Sequence, residues 1–387
     1  MTVKANWNYP TAVKFGVGRV TELADHCRAL GIHKPLLVTD AGLASLPMTQ
    51  SVLADLQSAG LGAALFADIR PNPVGANVEA GLAVYRAGGH DGVVAFGGGS
   101  GLDIGKLIAF MSGQTRPIWD FEDIGDWWTR ADPTGIAPII AVPTTAGTGS
   151  EVGRAAVVTD ESNHTKKIIF HPKIMPSVVI CDPALSVGMP PKITAGTGMD
   201  ALSHCLEAYC APGFHPLADG VAVEGIRLIA SALPRVMQDP NDLDARADMM
   251  AAAAMGATAF QKGLGGMHAL AHPIGALFDS HHGMTNATLM PYVLAFNQSA
   301  IEQRIARLAA YMGLPDASFE GFLQFVLRLR ALVGVPHTLG ELGVDATRSD
   351  EIAEMAVQDP SAGGNPIRFD LSAAKQILAK AFAGVIG

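Results

Sequence analysis

Charged residues are scarce in this sequence, because Asp, Glu, Lys and Arg together make up only 16% of its 387 residues. Long disordered tails are rich in charge and poor in apolar residues, so none is expected in a chain that is 49% hydrophobic. Basic residues are the smaller charged class, 27 against 36 acidic ones, for a formal net charge of -9. Nucleic acids and anionic membranes attract basic surfaces, and we therefore expect neither as a partner.

Cysteine is also rare, and the four that occur form neither a CxxC pair nor the spacing of a disulfide framework. They are Cys27, Cys181, Cys205 and Cys210. No run of about 18 apolar residues predicts a membrane-spanning helix, and MTVKANWNYPTAVKFG lacks the apolar core of a secretory signal. These absences predict a cytoplasmic protein. The surplus of apolar residues predicts a homo-oligomer, for which a dimer is the commonest form.

A chain of 387 residues is long enough for two domains. Its first half alternates amphipathic stretches with short β-rich runs at residues 35–40, 91–96, 137–142, 155–160 and 176–182. This alternation predicts a Rossmann-like parallel sheet with helices on both faces. Ala, Leu and Met at helical spacing dominate later. We therefore predict an α/β domain at 1–184 and an all-α domain at 185–387.

Two glycine-rich stretches follow predicted strands, GGGSGLDIGK at 97–106 and PTTAGTGSEVG at 143–153. Small residues before a helix let the backbone approach a phosphate, and the helix N-terminus offers unpaired N–H groups. The first stretch is not a Walker A loop, because Leu107 follows Lys106, and it is not GxGxxG, because Ile104 takes the last glycine position. Tight turns needed only for packing are the alternative for both stretches.

Asp40 ends the first of these predicted strands. An acidic side chain there can accept hydrogen bonds from a ribose diol and repels a 2′-phosphate, which favours NAD over NADP. A helix cap or an Asx turn in TDAG is an equally good interpretation of the same residue.

One acid and several histidines in the second half suit a divalent transition metal. Asp200 and His204 are four positions apart and share a face of a predicted helix. His268 and His272 repeat that spacing before Pro273, which predicts a break or kink in the helix. The adjacent His281 and His282 point in different directions. The pattern alone does not choose among these four histidines, and a surface acid beside a buried histidine is the alternative for the first pair.

These stretches, taken together, resemble the iron-containing (group III) alcohol dehydrogenases across essentially the whole chain. The resemblance rests on FGVGRV, GGGSGLDIGK, PTTAGTGSEV, MPPKITAGTGMDALSHCLEAY, GLGGMHALAHPIGA and HHGMTNATLMPYV. It implies a nucleotide-binding α/β domain followed by a helical metal-binding domain, the dehydroquinate synthase-like fold. It also implies a metal- and NAD-dependent interconversion of a small primary alcohol, diol or hydroxy acid and its aldehyde by hydride transfer.

The resemblance also assigns residues. The metal ligands fall on Asp200, His204, His268 and His282, and His272 falls near the substrate and the nicotinamide as a candidate proton relay. The dinucleotide is expected along Asp40, Asn72, Gly98, Gly99, Ser100, Asp103, Thr144, Thr145, Thr148 and Lys166, with Lys167 as the alternative to its neighbour. Iron as Fe²⁺ comes from the resemblance, and Zn²⁺ is the alternative because such a nitrogen-rich site binds it more tightly.

Three other functions compete with this interpretation. A dehydroquinate-synthase-like lyase is expected to use Glu where this chain has Asp200, and a glycerol-dehydrogenase-like enzyme differs in the first ligand pair. A non-redox metallohydrolase has no use for two phosphate loops. The segment ATAFQKGLGGMH is one residue shorter than in the lactaldehyde reductase branch, so the substrate pocket of that branch does not carry over.

Overall fold

The computed structural model describes residues 4–7, 11–162 and 165–386. The chain divides into two compact units, Met1–Gly188 and Met189–Gly387. Every strand in the described ranges belongs to the first unit, and the second unit consists of helices and turns. The predicted order of an α/β region followed by a helical region is confirmed.

The first unit contains nine strands and five α-helices in its described part. The strands are β1 (Lys4–Trp7), β2 (Ala12–Gly16), β3 (Pro35–Val38), β4 (Ala64–Phe66), β5 (Gly92–Gly97), β6 (Ile139–Pro143), β7 (Ala155–Asp160), β8 (Thr165–Phe170) and β9 (Val178–Cys181). The helices are α1 (Leu23–Ala29), α2 (Ala41–Ala44), α3 (Pro47–Ser58), α4 (Gly75–Gly88) and α5 (Gly99–Met111).

Seven strands form one sheet in the order β1-β2-β9-β6-β5-β3-β4. The edge pair β1–β2 is antiparallel and the remaining pairs are parallel. Because β3, β5 and β6 are parallel neighbours, the segments that follow them meet at one edge of the sheet, where α/β proteins bind ligands. Asp40 and both glycine-rich loops lie at that edge.

Helices cover both faces of this sheet, which explains why its central strands are apolar throughout. Leu36 and Val38 of β3 belong to a core with side chains of α4 and α5. Leu37, which points to the opposite face, belongs to a second core with side chains of α1 and α3. The sequence therefore predicts these buried strands from their β-branched and aliphatic runs alone.

The run at 155–160 is a strand, as predicted, but it is not part of the main sheet. It forms β7, which pairs antiparallel with β8 in a separate hairpin. Its residues alternate between buried and half-buried, and Ala156 and Val158 pack into the core that contains α5. One face of the hairpin is therefore covered, and the alternation distinguishes it from the fully buried β5 and β6.

The second unit contains eight α-helices in its described part. They are α6 (Pro191–Cys210), α7 (Pro216–Gln238), α8 (Leu243–Ala259), α9 (Gly266–Phe278), α10 (His282–Tyr311), α11 (Phe319–Leu332), α12 (Ser349–Ala356) and α13 (Leu371–Ala383). Helix α6 is packed by α7, α8 and α10 and is buried on all sides from Thr194 onward. No helix in the described ranges is both long and apolar enough to cross a membrane.

Pro273 does not end its helix, because α9 continues to Phe278. Proline removes one backbone hydrogen bond from a helix interior. Most side chains from Met267 to Ile274 are buried, so we infer that tertiary packing outweighs the missing bond. The helix that contains His268 and His272 is therefore longer than the sequence predicts.

Candidate metal centre and nucleotide loops

Helix α6 contributes two of the predicted ligands. Asp200 and His204 are one helical turn apart and point to the same side of α6. They are only 2% and 5% exposed. A carboxylate so deep in a helical unit is costly unless it is paired or binds a cation.

Helices α9 and α10 contribute the other two, His268 from the first turn of α9 and His282 as the first residue of α10. The start of α10 lies directly against α6, because a Cβ on Gly283 would stand 2.1 Å from the carbonyl oxygen of Gly196. Only glycine permits that approach. Gly283 therefore helps to place its neighbour His282 beside the ligands of α6.

The structure brings all four predicted side chains into one group. One possible ligand atom from each of Asp200, His204, His268 and His282 lies within 4.8 Å of the others. Ligand atoms on opposite sides of a single ion are about 4.2 Å apart for metal–ligand bonds of about 2.1 Å. The group is therefore wider than the ligand shell of one ion and would contract on binding it. An oxygen and three imidazole nitrogens suit zinc or ferrous iron.

The amide of Asn286 shows where the lone pairs of this group point. Its Nδ2 atom lies 3.0 Å from Asp200 Oδ1, 3.2 Å from His268 Nε2 and 3.1 Å from His282 Nε2. An amide NH₂ group has two N–H donors, so it can donate to two of these atoms at once, and all three atoms face one point. This is the arrangement that a bound cation requires.

Both histidines of α9 are held through Nδ1 by a carboxylate. His268 Nδ1 lies 2.7 Å from Glu207, and His272 Nδ1 lies 2.7 Å from Asp359. Burial lowers the pKa of His268, but the hydrogen bond and charge of Glu207, together with the charges of Asp200 and Asp359, outweigh it, so the pKa is raised. Burial works to raise the pKa of Asp359, but the charge and hydrogen bond of His272, together with hydrogen bonds from Ser361, outweigh it, so the pKa is lowered.

His272 lies beside the predicted ligands without belonging to the group of four. Its ring stacks on that of His282 with centroids 5.4 Å apart and meets that of His268 at 5.9 Å. His281 has a different role, because its Nδ1 accepts a hydrogen bond from Met284 N at 3.3 Å and caps α10. Among the four histidines that the sequence leaves open, the geometry thus selects His268 and His282.

The two glycine-rich loops pack against each other in the first unit. Added Cβ atoms on Gly98 and Gly99 would stand 3.2 Å from Thr145 Cγ2 and 2.7 Å from Thr148 Cγ2. Thr144 donates its backbone N–H to Gly97 O at 2.9 Å. Helix α5 begins directly after Gly98. Its free N–H groups therefore lie beside the second loop, an arrangement suited to a phosphate.

Other predicted dinucleotide residues form a second contact group. Ser100 Oγ donates to Pro71 O at 2.5 Å, and Lys166 Nζ donates to Asn72 Oδ1 at 3.1 Å. The adjacent Lys167 pairs instead with Glu122 at 3.2 Å and with Asp160 at 3.1 Å. This difference favours Lys166 over its neighbour as the dinucleotide residue.

Both carboxylate oxygens of Asp103 accept hydrogen bonds from other residues of the first unit. Its Oδ1 accepts a hydrogen bond from Ser150 Oγ at 2.5 Å, and its Oδ2 accepts one from Val157 N at 3.0 Å. The fully buried ammonium of Lys106 donates to Ser150 O at 2.9 Å, to Ser150 Oγ at 2.7 Å and to the carbonyl of Ala155. These two side chains thus tie α5 to the second loop.

Burial shifts the pKa values of the ionisable side chains at this contact between α5 and the second loop. Burial lowers the pKa of Lys106, partly offset by Asp103 and Glu151. Burial also raises the pKa of Glu151 to about 7.

Asp40 is half-buried, and its Oδ1 caps α2 by accepting a hydrogen bond from Leu43 N at 3.0 Å. The capping interpretation of Asp40 is therefore correct, and it leaves the ribose interpretation a prediction.

Three further residues shape these sites although no sequence motif marks them: Glu207, Asn286 and Asp359. Glu207 continues the spacing of Asp200 and His204 along one helix face, and Asn286 lies one turn after His282. Helical spacing was a usable signal for both. Asp359 is 87 residues from His272 along the chain, and no local pattern links them.

Comparison with known proteins assigns the chain to a class. Residues 10–183 match the family described as iron-containing alcohol dehydrogenase, and residues 194–382 match the C-terminal domain of the same family. The chain belongs to the iron-containing alcohol dehydrogenase family. It is an oxidoreductase that acts on alcohols, as predicted.

Individual relatives agree with this assignment. The chain is 39% identical to a 4-hydroxybutyrate dehydrogenase from Cupriavidus necator, over 92% of this chain and 94% of that one. A crystal structure of 1,3-propanediol oxidoreductase superposes with a TM-score of 0.91 at 37% identity, covering 99% and 100% of the two chains. Sulfoacetaldehyde reductase from Bifidobacterium kashiwanohense, solved with NAD⁺, superposes with a TM-score of 0.86 at 28% identity, covering 98% of each chain.

Proposed function

We propose that this alcohol oxidoreductase is metal- and NAD-dependent and interconverts a small primary alcohol with its aldehyde by hydride transfer. We assign the dinucleotide to residues 1–184 and the metal and catalysis to residues 185–387. The observation that carries the proposal is the convergence of Asp200, His204, His268 and His282 in a chain of this family. We assign these four side chains as the metal ligands.

The substrate class is proposed from the relatives. Their names specify a 4-hydroxy acid, a terminal diol and a sulfonated aldehyde. These compounds share a short chain with an alcohol or aldehyde at one end and a polar group at the other. We therefore propose diols and hydroxy acids ahead of simple alcohols.

A divalent ion on the four ligands would supply Lewis-acid polarisation of the substrate oxygen, and NAD would supply the hydride acceptor. The protein's own part is to bind, orient and move a proton. Asp200 offsets charge within a buried site, and the three ligand imidazoles bind as neutral bases. His272 is the proposed proton relay, and Asp359 fixes its Nδ1 so that Nε2 is the nitrogen left for proton transfer.

NAD is the preferred cofactor in this proposal. Two packed glycine-rich loops beside the start of α5 support phosphate binding, and Asp40 at the end of β3 disfavours a 2′-phosphate. A relative of the same fold was solved with NAD⁺. The proposed contacts are Asp40, Asn72, Gly98, Gly99, Ser100, Asp103, Thr144, Thr145, Thr148 and Lys166.

The metal is proposed to be Fe²⁺, as in the family name, with Zn²⁺ as the alternative for the same donors. The test begins with elemental analysis of purified protein. Metal-stripped protein is then reloaded with Fe²⁺ or Zn²⁺ and assayed with 1,3-propanediol, 4-hydroxybutyrate and ethanol, with NAD and NADP in parallel. We expect reduced cofactor to form from NAD in metal-loaded protein. Equal turnover after metal removal would overturn the proposal.

The same assay, with glycerol added to the substrates, separates the rival functions. A dehydroquinate-synthase-like lyase produces no net NADH, and a glycerol-dehydrogenase-like enzyme would prefer glycerol to 1,3-propanediol. A metallohydrolase would not bind NAD. The ligand set of one Asp and three His favours the dehydrogenase over these alternatives.

We also propose a homo-oligomer, with a dimer as its simplest form, in the cytoplasm. Phe214, between α6 and α7, is 95% exposed and Leu217, in the first turn of α7, is 71% exposed, which favours burial in an assembly. The four cysteines are unpaired, which suits a reducing compartment. Light scattering and sedimentation of the purified protein test the assembly.

A further inference from the structure

A buried carboxylate holds the start of α9 and one of its histidines at the same time. Glu207 follows His204 by three residues on α6 and is 5% exposed. Its oxygens accept hydrogen bonds from Gly265 N at 2.9 Å and Met267 N at 2.6 Å, and His268 Nδ1 lies 2.7 Å away. Three donors thus converge on one carboxylate.

This set of contacts defines the protonation of His268. An ionised carboxylate only accepts hydrogen bonds, so Nδ1 of His268 carries a proton and donates it to Glu207. In the neutral ring, Nε2 is then left with its lone pair. That atom lies 3.2 Å from Asn286 Nδ2, on the side that faces Asp200 and His282. Glu207 therefore presents the correct nitrogen to the proposed metal.

A second buried side chain, Asn365, also caps the start of α9, but it does not hold the ring of His268 as Glu207 does. Asn365 Oδ1 accepts a hydrogen bond from Gly266 N at 3.1 Å, and its amide pairs with that of Asn297 at 2.8 Å. The first N–H groups of a helix lack helical partners. Glu207 and Asn365 thus supply partners to three consecutive backbone N–H groups, and only Glu207 also binds the imidazole.

We propose that Glu207 is a positioning residue of the metal centre, which fixes the tautomer and the orientation of His268. The inference rests on the proposed metal function. Residues that hold a metal-binding histidine through its other nitrogen typically contribute 10–100-fold to metal affinity. The same loss is expected when Glu207 no longer accepts the Nδ1 proton.

The test is Glu207→Gln, which keeps the size of the side chain. One amide oxygen cannot accept from Gly265, Met267 and His268 Nδ1 as the two carboxylate oxygens do, and a neutral amide holds the Nδ1–H of His268 more weakly than a carboxylate does. We expect Zn²⁺ affinity, measured by competition with a chromophoric chelator, to fall about 10–100-fold. The ¹⁵N shifts of histidine-labelled, metal-free protein should show one ring whose Nδ1–H hydrogen bond is weaker in the variant than in the parent protein.

Asn365→Ala is the matched control, because it removes the neighbouring cap and leaves the carboxylate on His268. It should lower thermal stability and change Zn²⁺ affinity less than about threefold, well below the loss from a missing histidine partner. Equal losses of affinity in the two variants would assign the effect to the helix start and overturn the proposal. So would unchanged affinity in Glu207→Gln.

His268→Ala separates this inference from the proposed function. If that variant binds Zn²⁺ as tightly as the parent protein, the ligand assignment itself is wrong. If it loses the metal while Glu207→Gln retains parental affinity, the ligand assignment stands and the positioning role of Glu207 is wrong.

Discussion

The predicted metal residues and the predicted dinucleotide residues are arranged in different ways. At the candidate metal centre, one possible ligand atom from each of four side chains lies within 4.8 Å of the others. In the nucleotide loops, the polar side chains turn into their own fold: Asp40 caps α2, Ser100 binds Pro71 O and Asp103 binds Ser150 and Val157. The residues predicted for the metal thus converge on one another, whereas several residues predicted for the dinucleotide make hydrogen bonds within their own unit.

The difference follows from what each ligand requires. A transition metal binds side-chain atoms, so its site consists of converging side chains. A pyrophosphate binds backbone N–H groups at a helix N-terminus, so its site consists of space and backbone shape. The side chains of such a loop act by holding that shape. Substitutions should therefore abolish function at the metal centre and weaken it by degrees in the loops.

The adjacent histidines provide the largest expected effect. His282→Ala removes a proposed ligand and should lower metal affinity by more than about 100-fold, with a comparable loss of turnover. NAD binding, measured by fluorescence titration, should stay near that of the parent protein. His281→Ala is the control, because it removes only a helix cap worth about 1 kcal/mol. Equal metal loss in both variants would contradict the choice of His282.

The histidines also show how much of the proposed metal site can be predicted from the sequence. Asp200 and His204 are predictable because helical spacing puts them on one face. The spacing of His268, His272, His281 and His282 left the choice open, because their faces depend on how α9 and α10 pack on α6. The resemblance to the family supplied the assignment, and the approach of Gly283 to Gly196 shows the packing that accounts for it.

The fold, too, has parts that can be predicted from the sequence and parts that cannot. Fully buried strands such as β5 and β6 are visible as apolar runs, and the helices of the second unit as periodic ones. The hairpin of β7 and β8 was not predicted, because a strand run does not specify its partner. The tie from Lys106 to Ser150 was also missed, since its residues are 44 apart along the chain and meet only when the sheet forms.

Lys106→Met is expected to have the second-largest effect. It tests the contacts that hold α5 against the second glycine-rich loop. The substitution leaves Asp103 and Glu151 without a buried cation, and breaking a buried ion pair costs about 3–5 kcal/mol. We expect that loss in the free energy of unfolding, measured in urea, together with weaker NAD binding and unchanged metal content in the folded protein.

Lys167→Met is its control, because the two ion pairs of Lys167, with Glu122 and Asp160, are partly exposed and should each contribute about 1 kcal/mol or less. A loss in Lys106→Met no greater than in Lys167→Met would mean that the buried ammonium does not hold the loops.

Glu151 gives a pH test of the same scaffold. Its pKa is raised by burial from 4.5 to about 7, so the folded state binds the proton more tightly than the unfolded chain. The cost of ionising it is absent below about pH 4.5 and complete above about pH 7, and a shift of this size corresponds to about 3 kcal/mol. Stability should therefore fall as pH rises through this window.

Glu151→Gln removes that titration. The stability of the variant relative to the parent protein should increase by about 2–3 kcal/mol between about pH 5 and about pH 8. Urea unfolding at the two pH values measures it. The metal centre is not involved, so parallel curves for the two proteins would show that Glu151 ionises without cost in the folded state.

Substitutions of Asp40 are expected to have the smallest effect. They distinguish its role as a helix cap from its predicted role in repelling a 2′-phosphate. Asp40→Ser keeps a capping oxygen for α2 and removes the charge, whereas Asp40→Ala removes both. If the charge repels a 2′-phosphate, both variants should shift the ratio of kcat/KM for NADP over NAD upward by about tenfold, or about 1.4 kcal/mol. Only the Ala variant should also lose about 1 kcal/mol of stability. A shift in stability without a shift in cofactor ratio would leave Asp40 as a helix cap alone, like the other polar side chains of the nucleotide loops.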